Sequence, residues 1–171
     1  MGDETTLREF PPLRAAWARQ GEQARVVVSG RNPSRILLGA LTVVTGQLVT
    51  LVRERCRTAD IQAFVEHLGA ARPETPKLLV WDNAPPHHPK VVRQTAADAQ
   101  ITLAFLPFRA PELMPCEDVW RQLKAVVAAN RAYAAVTELA ERAVAWLEAI
   151  APADLLRRAG VTSSKFDWLP T

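Results

Sequence analysis

Cysteine, glycine and long apolar runs are scarce in this sequence, and each scarcity excludes a class of protein. The two cysteines, Cys56 and Cys116, are too few and too far apart for a disulfide scaffold or a zinc site. We therefore expect free thiols, as in a reducing cytoplasm. Seven glycines among 171 residues exclude a collagen-like chain. No apolar run approaches the roughly 20 residues of a membrane span, so the sequence predicts a cytoplasmic protein without a membrane partner.

Lysine is also scarce, and the net charge is small. Only four of the 21 basic residues are lysine, and the formal net charge is +3. Arginine suits bidentate phosphate contacts, whereas GC-rich coding explains the same arginine excess together with abundant alanine and proline. The charge therefore permits a nucleic-acid partner without establishing one. Apolar residues make up 49% of the chain, which is typical of a globular domain with its own core.

The apolar pattern predicts three strands followed by alternating helices and strands. The expected order is β-β-β-α-β-α-β-α-α, which favours an α/β fold with a mixed β-sheet flanked by helices on both faces. The ribonuclease H-like fold has this order, as do several other α/β folds. The predicted strands are Arg25–Ser29, Ile36–Thr45, Gln47–Val52, Leu78–Trp81 and Ile101–Leu106. The predicted helices are Thr58–Leu68, Pro89–Ala99, one from Pro115 onward, and Ala135–Ile150.

Two acidic residues are candidates for chemistry. Asp82 follows the predicted strand Leu78–Trp81, and open α/β sheets bind ligands at the carboxyl ends of their strands. An Asp-Asn pair also favours a plain turn, so both interpretations stand at this point. Glu117 comes after 34 intervening residues, in the first turn of the helix that begins at Pro115. An acid there is also favoured by the helix dipole, although the helix can bring Glu117 to the same sheet edge.

Two segments around these acids carry a family resemblance. The segment Leu79–His87 resembles the second catalytic block of mariner-like insertion-sequence transposases. The segment Leu106–Glu117, continuing through Trp120 and Lys124, resembles their third block, and the 34-residue gap is similar to the family's spacing. The chain is therefore identified as a member of the DDE-superfamily transposases and endonucleases, whose catalytic domain is ribonuclease H-like.

The resemblance also implies a third acid near the start of the chain. The family's first catalytic aspartate lies on the first strand, often in an Asp-Glu pair, and Asp3 with Glu4 matches that pair. The segments Phe10–Pro12 and Trp17–Gly21 resemble the stretch after the family's first block, so the resemblance extends from Asp3 to about Ile150. It implies that the metal ligands and catalytic residues are Asp3, Asp82 and Glu117.

The implied activity is metal-dependent DNA strand cleavage and strand transfer at insertion-sequence ends. Two Mg²⁺ (or Mn²⁺) ions on the three acids would assist attack by water and then by a 3′-hydroxyl, without a covalent protein nucleophile. The implied partners are DNA at the element ends and at the target, and a second copy in a homodimer. The implied location is the bacterial cytoplasm, with nucleoid association when bound to DNA.

Several side chains are candidates for DNA contacts. His87 matches a histidine common in the family's second block and is expected either near the active site or at the DNA backbone. Lys124 lies seven residues after Glu117 on the same helical face, while Arg121 is also placed to pair with Glu117. The complete set is His87, Lys124, Arg121, Arg109, Arg31 and Arg35. A metal site on His87 and His88 is not predicted, because no third nitrogen or sulfur ligand accompanies them.

The chain departs from the family pattern in its third block, where Arg109 and Cys116 replace the usual serine and isoleucine, and at its start. Met114 replaces the usual asparagine before the catalytic helix, which weakens a cap or a supporting contact. The 171 residues are expected to contain no helix-turn-helix region, and the first strand is expected to be shortened. We divide the chain into a catalytic domain, residues 1–155, and a tail, residues 156–171, that docks through Phe166 and Trp168.

These departures leave three alternatives open. One is a truncated, catalytically silent remnant with weak DNA binding. Another is an active domain whose DNA-binding region is a separate subunit. The third is a ribonuclease or structure-specific nuclease that uses the same metal site. Trp120 is expected in the core in every case.

Overall fold

The chain folds into an α/β structure in which three antiparallel strands precede a parallel pair. The computed structural model describes residues 1–28, 30–73, 75–108 and 110–167. Its strands are β1 Gly2–Arg8, β2 Ser34–Leu41, β3 Leu48–Arg53, β4 Lys77–Trp81 and β5 Ile101–Phe105. Its helices are α1 Thr58–Ala71, α2 Lys90–Asp98, α3 Pro115–Leu123, α4 Val136–Glu148 and α5 Pro152–Arg158. Among the described residues, no helix is both long and apolar enough to cross a membrane.

The strands pair in two hydrogen-bonded groups. The order β1-β2-β3 is antiparallel, with Asp3 opposite Gly39, and β4-β5 is parallel. β1 and β4 lie side by side in the same direction, because Gly2 approaches Leu79 and the Glu4 carboxylate accepts from Trp81 Nε1 at 3.3 Å. Antiparallel and parallel strands thus occur together, as the α/β prediction requires.

The helices cover both faces of the strands and form two apolar cores. Leu37 and Leu41 of β2 belong to one core, whereas Leu38 and Ala40 belong to the other. This division follows from the alternation of side chains along a strand. The first core includes buried side chains of α3 and α4, and the second includes those of α1 and α2.

The predicted strand Arg25–Ser29 is wrong. Residues 25–28 form no strand, Val27 is 85% exposed, and Ser29 lies outside the described residues. β-branched residues favour a strand only where a neighbouring strand and a buried face accept them, and Val27 has neither. The first strand is β1 instead, paired with β2 along all seven of its residues.

The hairpin predicted at Gly46 is confirmed. The Gly46 N–H donates to the Thr42 carbonyl at 2.8 Å, and the Thr42 N–H donates to the Gln47 carbonyl at 2.8 Å. Gly46 has φ 74°, and a Cβ at this position would overlap the carbonyl of Pro152. Only glycine therefore fits this turn.

Local sequence explains where α3 begins and how the chain continues after it. Pro115 occupies the first turn of α3, where its missing N–H is tolerated, and Met114 precedes it without a side-chain cap. After α3 the chain continues through a π-helical turn, Lys124–Ala128. Asn130 then takes φ 56° and exchanges two hydrogen bonds with the backbone of Arg14.

Candidate active site

Three carboxylates from three separate elements line one pocket of about 260 Å³. Asp3 lies on β1, Asp82 follows β4, and Glu117 lies in the first turn of α3. The pocket is completed by the two loops that follow β4 and β5. The lining residues are Asp3, Asp82, Asn83, Ala84, Pro85, Leu106, Pro107, Phe108, Ala110, Pro111, Met114 and Glu117.

Asp3 is held by the indole of Trp120, and Gly39 on the neighbouring strand β2 leaves room for that ring. Asp3 is 6% exposed, and its carboxylate accepts a 2.9 Å hydrogen bond from Trp120 Nε1. The Trp120 ring lies against Gly39 of β2, where a Cβ would come within 2.6 Å of the ring. Burial, the negative charge of Glu117 and that of Glu4 raise the pKa of Asp3 to about 8.

Asp82 is half-exposed and is fixed from two sides. Its Oδ1 accepts from the Ala84 N–H at 3.1 Å, which closes a turn directly after β4. The same oxygen lies 2.8 Å from His87 Nδ1. The hydrogen bond from His87 holds the pKa of Asp82 below its usual value, against the opposing effect of partial burial.

His87 is fully buried and bridges two carboxylates. Its ring stacks on Trp81 with centroids 4.0 Å apart, and its Nε2 lies 3.4 Å from Glu4 Oε2. That Nε2 has no well-aligned hydrogen-bond partner, so its attraction to Glu4 is electrostatic. Burial lowers the pKa of His87, but the interactions with Asp82 and Glu4 outweigh it and raise the pKa to about 9. A direct contact between His87 and the DNA backbone is therefore wrong for this structure.

Glu4 was not assigned a role from sequence, although it stands next to Asp3. Successive side chains on a strand point to opposite faces, so Glu4 turns away from the pocket. There it accepts from Trp81 Nε1 and lies 3.7 Å from Cys56 Sγ. Within the described ranges, the one group of three potential metal ligands within 4.8 Å consists of Glu4, Asp82 and His87. The sequence feature that could have pointed to Glu4 was its place in the Asp3-Glu4 pair.

The predicted DNA-contacting residues lie in varied surroundings. Arg121 pairs with Asp118, three residues earlier, at 2.7 Å. The expected pair of Arg121 with Glu117, four residues earlier, is therefore wrong, because both spacings place an acid on the same helical face and Asp118 is the partner. Arg35 lies 3.5 Å from Glu54 and donates to the Ser34 carbonyl. Lys124 is half-buried at the start of the π turn, and Arg31 is exposed in the loop before β2. Arg109 lies outside the described residues.

Both cysteines are free thiols, as predicted from their number and spacing. Burial raises the pKa of Cys116 to about 12, and burial together with Glu4 raises the pKa of Cys56 to about 12. The thiolate is the reactive form of cysteine, so neither residue is suited to act as a nucleophile.

Comparison with known protein families decides the assignment of the chain. The model of the DDE superfamily endonucleases matches residues 1–140. The chain belongs to the DDE superfamily endonucleases. This match includes Asp3, Asp82 and Glu117, and it confirms the family that the two sequence blocks indicated.

Two bacterial proteins are similar to this chain in sequence, and one of them is an insertion-element protein. The 39 kDa protein of insertion element IS630 from Shigella sonnei is 24% identical over 153 residues, which are 88% of this chain and 44% of the relative. The protein y4pE/y4sA of Sinorhizobium fredii (strain NBRC 101917 / NGR234) is 31% identical over 98 residues, 57% of this chain and 70% of that protein. The chain thus spans less than half the length of the insertion-element relative.

Solved structures of a mariner transposase share the fold. The Mos1 transposase in a paired-end complex with its left transposon end superposes with a TM-score of 0.71 at 16% identity, covering 97% of this chain and 52% of that one. The Mos1 catalytic domain with Raltegravir and Mg superposes with a TM-score of 0.60, covering 97% of this chain and 78% of that one. The ribonuclease H-like α/β fold predicted from the sequence is confirmed.

Proposed function

We propose that this chain is the catalytic domain of a DNA transposase that cleaves and transfers DNA strands at the ends of an insertion element. The observation that carries the proposal is the convergence of Asp3, Asp82 and Glu117 on one pocket. The family match and the mariner-type fold support the same reaction. These relatives are a protein of an insertion element and a transposase bound to a transposon end, and the three acids proposed from the sequence blocks line this pocket.

The donor set of the pocket fits a hard divalent cation. Three carboxylates are the oxygen ligands that Mg²⁺ and Mn²⁺ prefer. The raised pKa of Asp3 reflects burial beside the negative charges of Glu117 and Glu4, and a bound cation would remove this repulsion. We assign Asp3, Asp82 and Glu117 as the ligands of two such ions. When bound, these ions supply activation of the attacking oxygen and stabilisation of the leaving one.

The protein's own groups position the ligands. Trp120 holds Asp3 by a hydrogen bond of 2.9 Å to Oδ2, and the Glu4 backbone N–H also donates to this carboxylate. His87 holds Asp82 at 2.8 Å and keeps its pKa low, so that the carboxylate is ionised at neutral pH. Glu117 is exposed in the first turn of α3 and closes the third side of the pocket. The proposed role of Trp120 and His87 is thus to fix two of the three ligands before DNA arrives.

The partner of this site is DNA, and the proposed backbone contacts are Arg109, which lies outside the described residues, and four described basic residues. Lys124 and Arg121 lie on the continuation of the helix that carries Glu117, whereas Arg31 and Arg35 flank the start of β2. A homodimer and a separate DNA-binding subunit are proposed as assembly partners. The proposed location is the bacterial cytoplasm, at the nucleoid.

Metal titration tests the proposed ligand set. Calorimetry with Mn²⁺ on the wild-type chain, Asp3→Asn, Asp82→Asn and Glu117→Gln is expected to give saturable binding only for the wild type. The three variants should lose at least about tenfold in affinity while keeping the wild-type circular dichroism spectrum. Glu66→Gln, which changes an exposed acid on α1, is the matched control and should bind as the wild type does. Equal binding by all variants would remove these acids as ligands.

Strand cleavage tests the reaction itself. A labelled duplex carrying the ends of the element that encodes this chain is incubated with protein and Mn²⁺. Nicks at the element boundary, followed by joining of the 3′-hydroxyl end to a target duplex, are the expected products. Cleavage of RNA hybrids or junctions without element ends would favour the nuclease alternative. Metal binding without any cleavage would favour the silent remnant.

A further inference from the structure

A pocket lined by arginines lies where β3 ends and α1 begins. This pocket, which we call the arginine pocket, has a volume of about 490 Å³. Its four basic wall residues are Arg35, Arg53, Arg55 and Arg57. Arg53 is the last residue of β3 and α1 begins at Thr58, so three of the four arginines come from one short connection. Positive side chains that share a pocket repel one another, and a bound anion would stabilise their arrangement.

The acids of the arginine pocket have partners, whereas three of its arginines do not. Glu54 lies 3.5 Å from Arg35, and Asp60 accepts from the backbone N–H of Arg57 at 3.0 Å. Among the described residues, no carboxylate forms an ion pair with the side chain of Arg53, Arg55 or Arg57. The Arg53 Nε is buried, and the described part of the chain offers it no hydrogen-bond partner. Buried donors normally have an acceptor, and a bound anion would supply one here.

The chemistry of the donors indicates the kind of anion. Guanidinium groups have no acceptor atom, and their planar arrangement of N–H groups matches the oxygens of a phosphate. Ala59, in the first turn of the 14-residue helix α1, lines the same pocket. The first N–H groups of a helix lack partners within the helix and favour negative charge. The arginines and this helix start together form a donor set for a phosphate group.

The arginine pocket lies at the same edge of the sheet as Asp82. β1 and β3 both run antiparallel to β2, and β1 runs in the same direction as β4, so the carboxyl ends of these three strands share one edge. Cys56, which stands between two of the arginines in the chain, lies 3.7 Å from Glu4. Glu4 in turn lies 3.4 Å from His87, the residue that holds Asp82.

The distance between the two places suits a nucleic-acid backbone. β3 is two strands away from β1, which is roughly 10 Å at the usual spacing of strands. A DNA duplex carries a phosphate about every 3.4 Å along each strand. A duplex with one phosphate at the three acids therefore has others within reach of the arginine pocket.

We propose that the arginine pocket binds a backbone phosphate of the DNA whose cleavage site lies at the three acids. Arg53, Arg55 and Arg57 donate to the phosphate oxygens, while Arg35 remains paired with Glu54 at the wall. Phosphate contacts position a duplex without reading its sequence. The pocket thus holds the DNA in register with the proposed metal ligands. This inference rests on the proposed function, because the phosphate belongs to the substrate DNA.

Duplex binding without metal tests the proposal. The probe is a fluorescein-labelled DNA duplex of about 20 base pairs, and fluorescence anisotropy in EDTA measures its affinity for the intact chain at several KCl concentrations. Arg55→Gln and Arg57→Gln change exposed pocket residues, and each should weaken binding roughly tenfold. Each should also reduce the slope of log affinity against log salt by about 1, because one phosphate contact is lost. Arg55→Lys keeps the charge and should restore the slope.

Arg142→Gln is the matched control. Arg142 is an exposed arginine on α4 that does not line the pocket. Its substitution removes the same charge from the chain, so it shows how much of any loss comes from net charge alone. We expect its affinity and its salt slope to stay close to those of the wild type.

Competing anions identify the source of the phosphate. Potassium phosphate and potassium chloride at equal ionic strength should displace the duplex equally, because the site is built for a phosphate of the DNA backbone. Much stronger competition by inorganic phosphate would assign the pocket to a free phosphate instead. Tighter binding of an RNA duplex of the same sequence would overturn DNA as the ligand.

Two further outcomes would overturn the proposal. If Arg55→Gln and Arg57→Gln lose no more affinity than Arg142→Gln, then the pocket binds no phosphate of the duplex. If the wild type does not bind the duplex at low salt, then DNA is not the ligand.

Mn²⁺ calorimetry separates these failures from a failure of the proposed function. Arg55→Gln and Arg57→Gln should keep the wild-type affinity for Mn²⁺, since neither residue lines the acid pocket. Metal binding that depends on the three acids, together with duplex binding that ignores the arginines, would reject this inference alone. Duplex binding that depends on the arginines, without any Mn²⁺ binding, would reject the proposed metal site alone.

Discussion

At the residue scale, the surroundings of Asp3 strongly oppose the ionisation of its carboxyl group. It is buried on β1, lies near the charges of Glu117 and Glu4, and has a pKa of about 8. In the unfolded chain an aspartate has a pKa near 3.8, so between these values the folded state binds the extra proton. Stability of the metal-free protein therefore falls as pH rises from about 4 to 8.

The first prediction concerns Asp3→Asn. The asparagine still accepts from Trp120 but cannot ionise, so this variant should lose the downward slope of stability between about pH 4 and 8. In EDTA at pH 8 the variant should be more stable than the wild type by on the order of a few kcal/mol, and near pH 4 the two should agree. Urea unfolding at both pH values measures the difference. If Asp3→Asn is less stable than the wild type at pH 8, then ionised Asp3 does not destabilise the folded protein.

The second prediction concerns His87. Its folded pKa of about 9 exceeds the ordinary 6.5, so its stabilisation is complete below pH 6.5 and disappears as pH rises through 9. His87→Gln should lower the free energy of unfolding by about 1–3 kcal/mol at pH 6 and by less at pH 9.5. It should also weaken Mn²⁺ binding by about 10–100-fold, because Asp82 loses its positioning contact.

His88→Gln is the matched control for this prediction. His88 lies next in the chain but packs on Phe105, with ring centroids 4.4 Å apart, and it does not belong to the group of Glu4, Asp82 and His87. Its substitution should leave Mn²⁺ affinity and the pH dependence between 6.5 and 9 unchanged. If His87→Gln and His88→Gln behave alike, then the bridge to Asp82 has no positioning role.

At the scale of elements, β2 and α3 fit together through one close contact. Gly39 leaves room for the Trp120 ring, and Trp120 in turn reaches Asp3 opposite Gly39 on β1. A side chain on β2 at this point would displace the indole. The spacing between β2 and α3 therefore determines the orientation of a proposed metal ligand on a third element, β1.

The third prediction tests this contact. Gly39→Ala should destabilise the protein by about 1–3 kcal/mol through overpacking and should shift Trp120 away from Asp3. Urea unfolding and Mn²⁺ calorimetry measure the two effects. The double variant Gly39→Ala with Trp120→Phe should be less destabilised than the sum of the single variants, because the smaller ring relieves the overlap. Additive effects would show that the two residues do not interact.

At the scale of the whole molecule, the C-terminal segment packs against the helices of the first core. Phe166 is buried and lies against Gly160, and Lys165 Nζ lies 2.8 Å from Asp118 Oδ2 on α3. Trp168 lies outside the described residues. The segment therefore contacts α3, the helix that carries Glu117, and we propose that it folds together with the preceding domain.

The fourth prediction concerns this tail. Phe166→Ala should destabilise the chain by about 3–5 kcal/mol and lower the temperature of a single unfolding transition. Lys165→Ala removes a half-exposed ion pair and should change stability by less than about 1 kcal/mol. A calorimetric scan distinguishes the two. A separate low-temperature transition in the wild type would show that the tail unfolds on its own.

The sequence by itself determined the family, and it predicted the three acids that line one pocket. Asp82 and Glu117 stand in local motifs, and a motif can be recognised without tertiary contacts because its residues are close in the chain. The apolar periods of α1, β4 and β5 predicted those elements within a few residues for the same reason. The hairpin at Gly46 was also local, since a positive φ demands glycine.

Tertiary structure alone decided where β1 forms and what surrounds the acids. Val26–Val28 have high strand propensity but no neighbouring strand, whereas residues 2–8 pair fully with β2. The bridge from Glu4 through His87 to Asp82 joins residues up to 83 positions apart, and the pair of Trp120 with Asp3 joins residues 117 apart. Such contacts depend on how strands and helices pack against one another, and a local sequence pattern does not predict that packing.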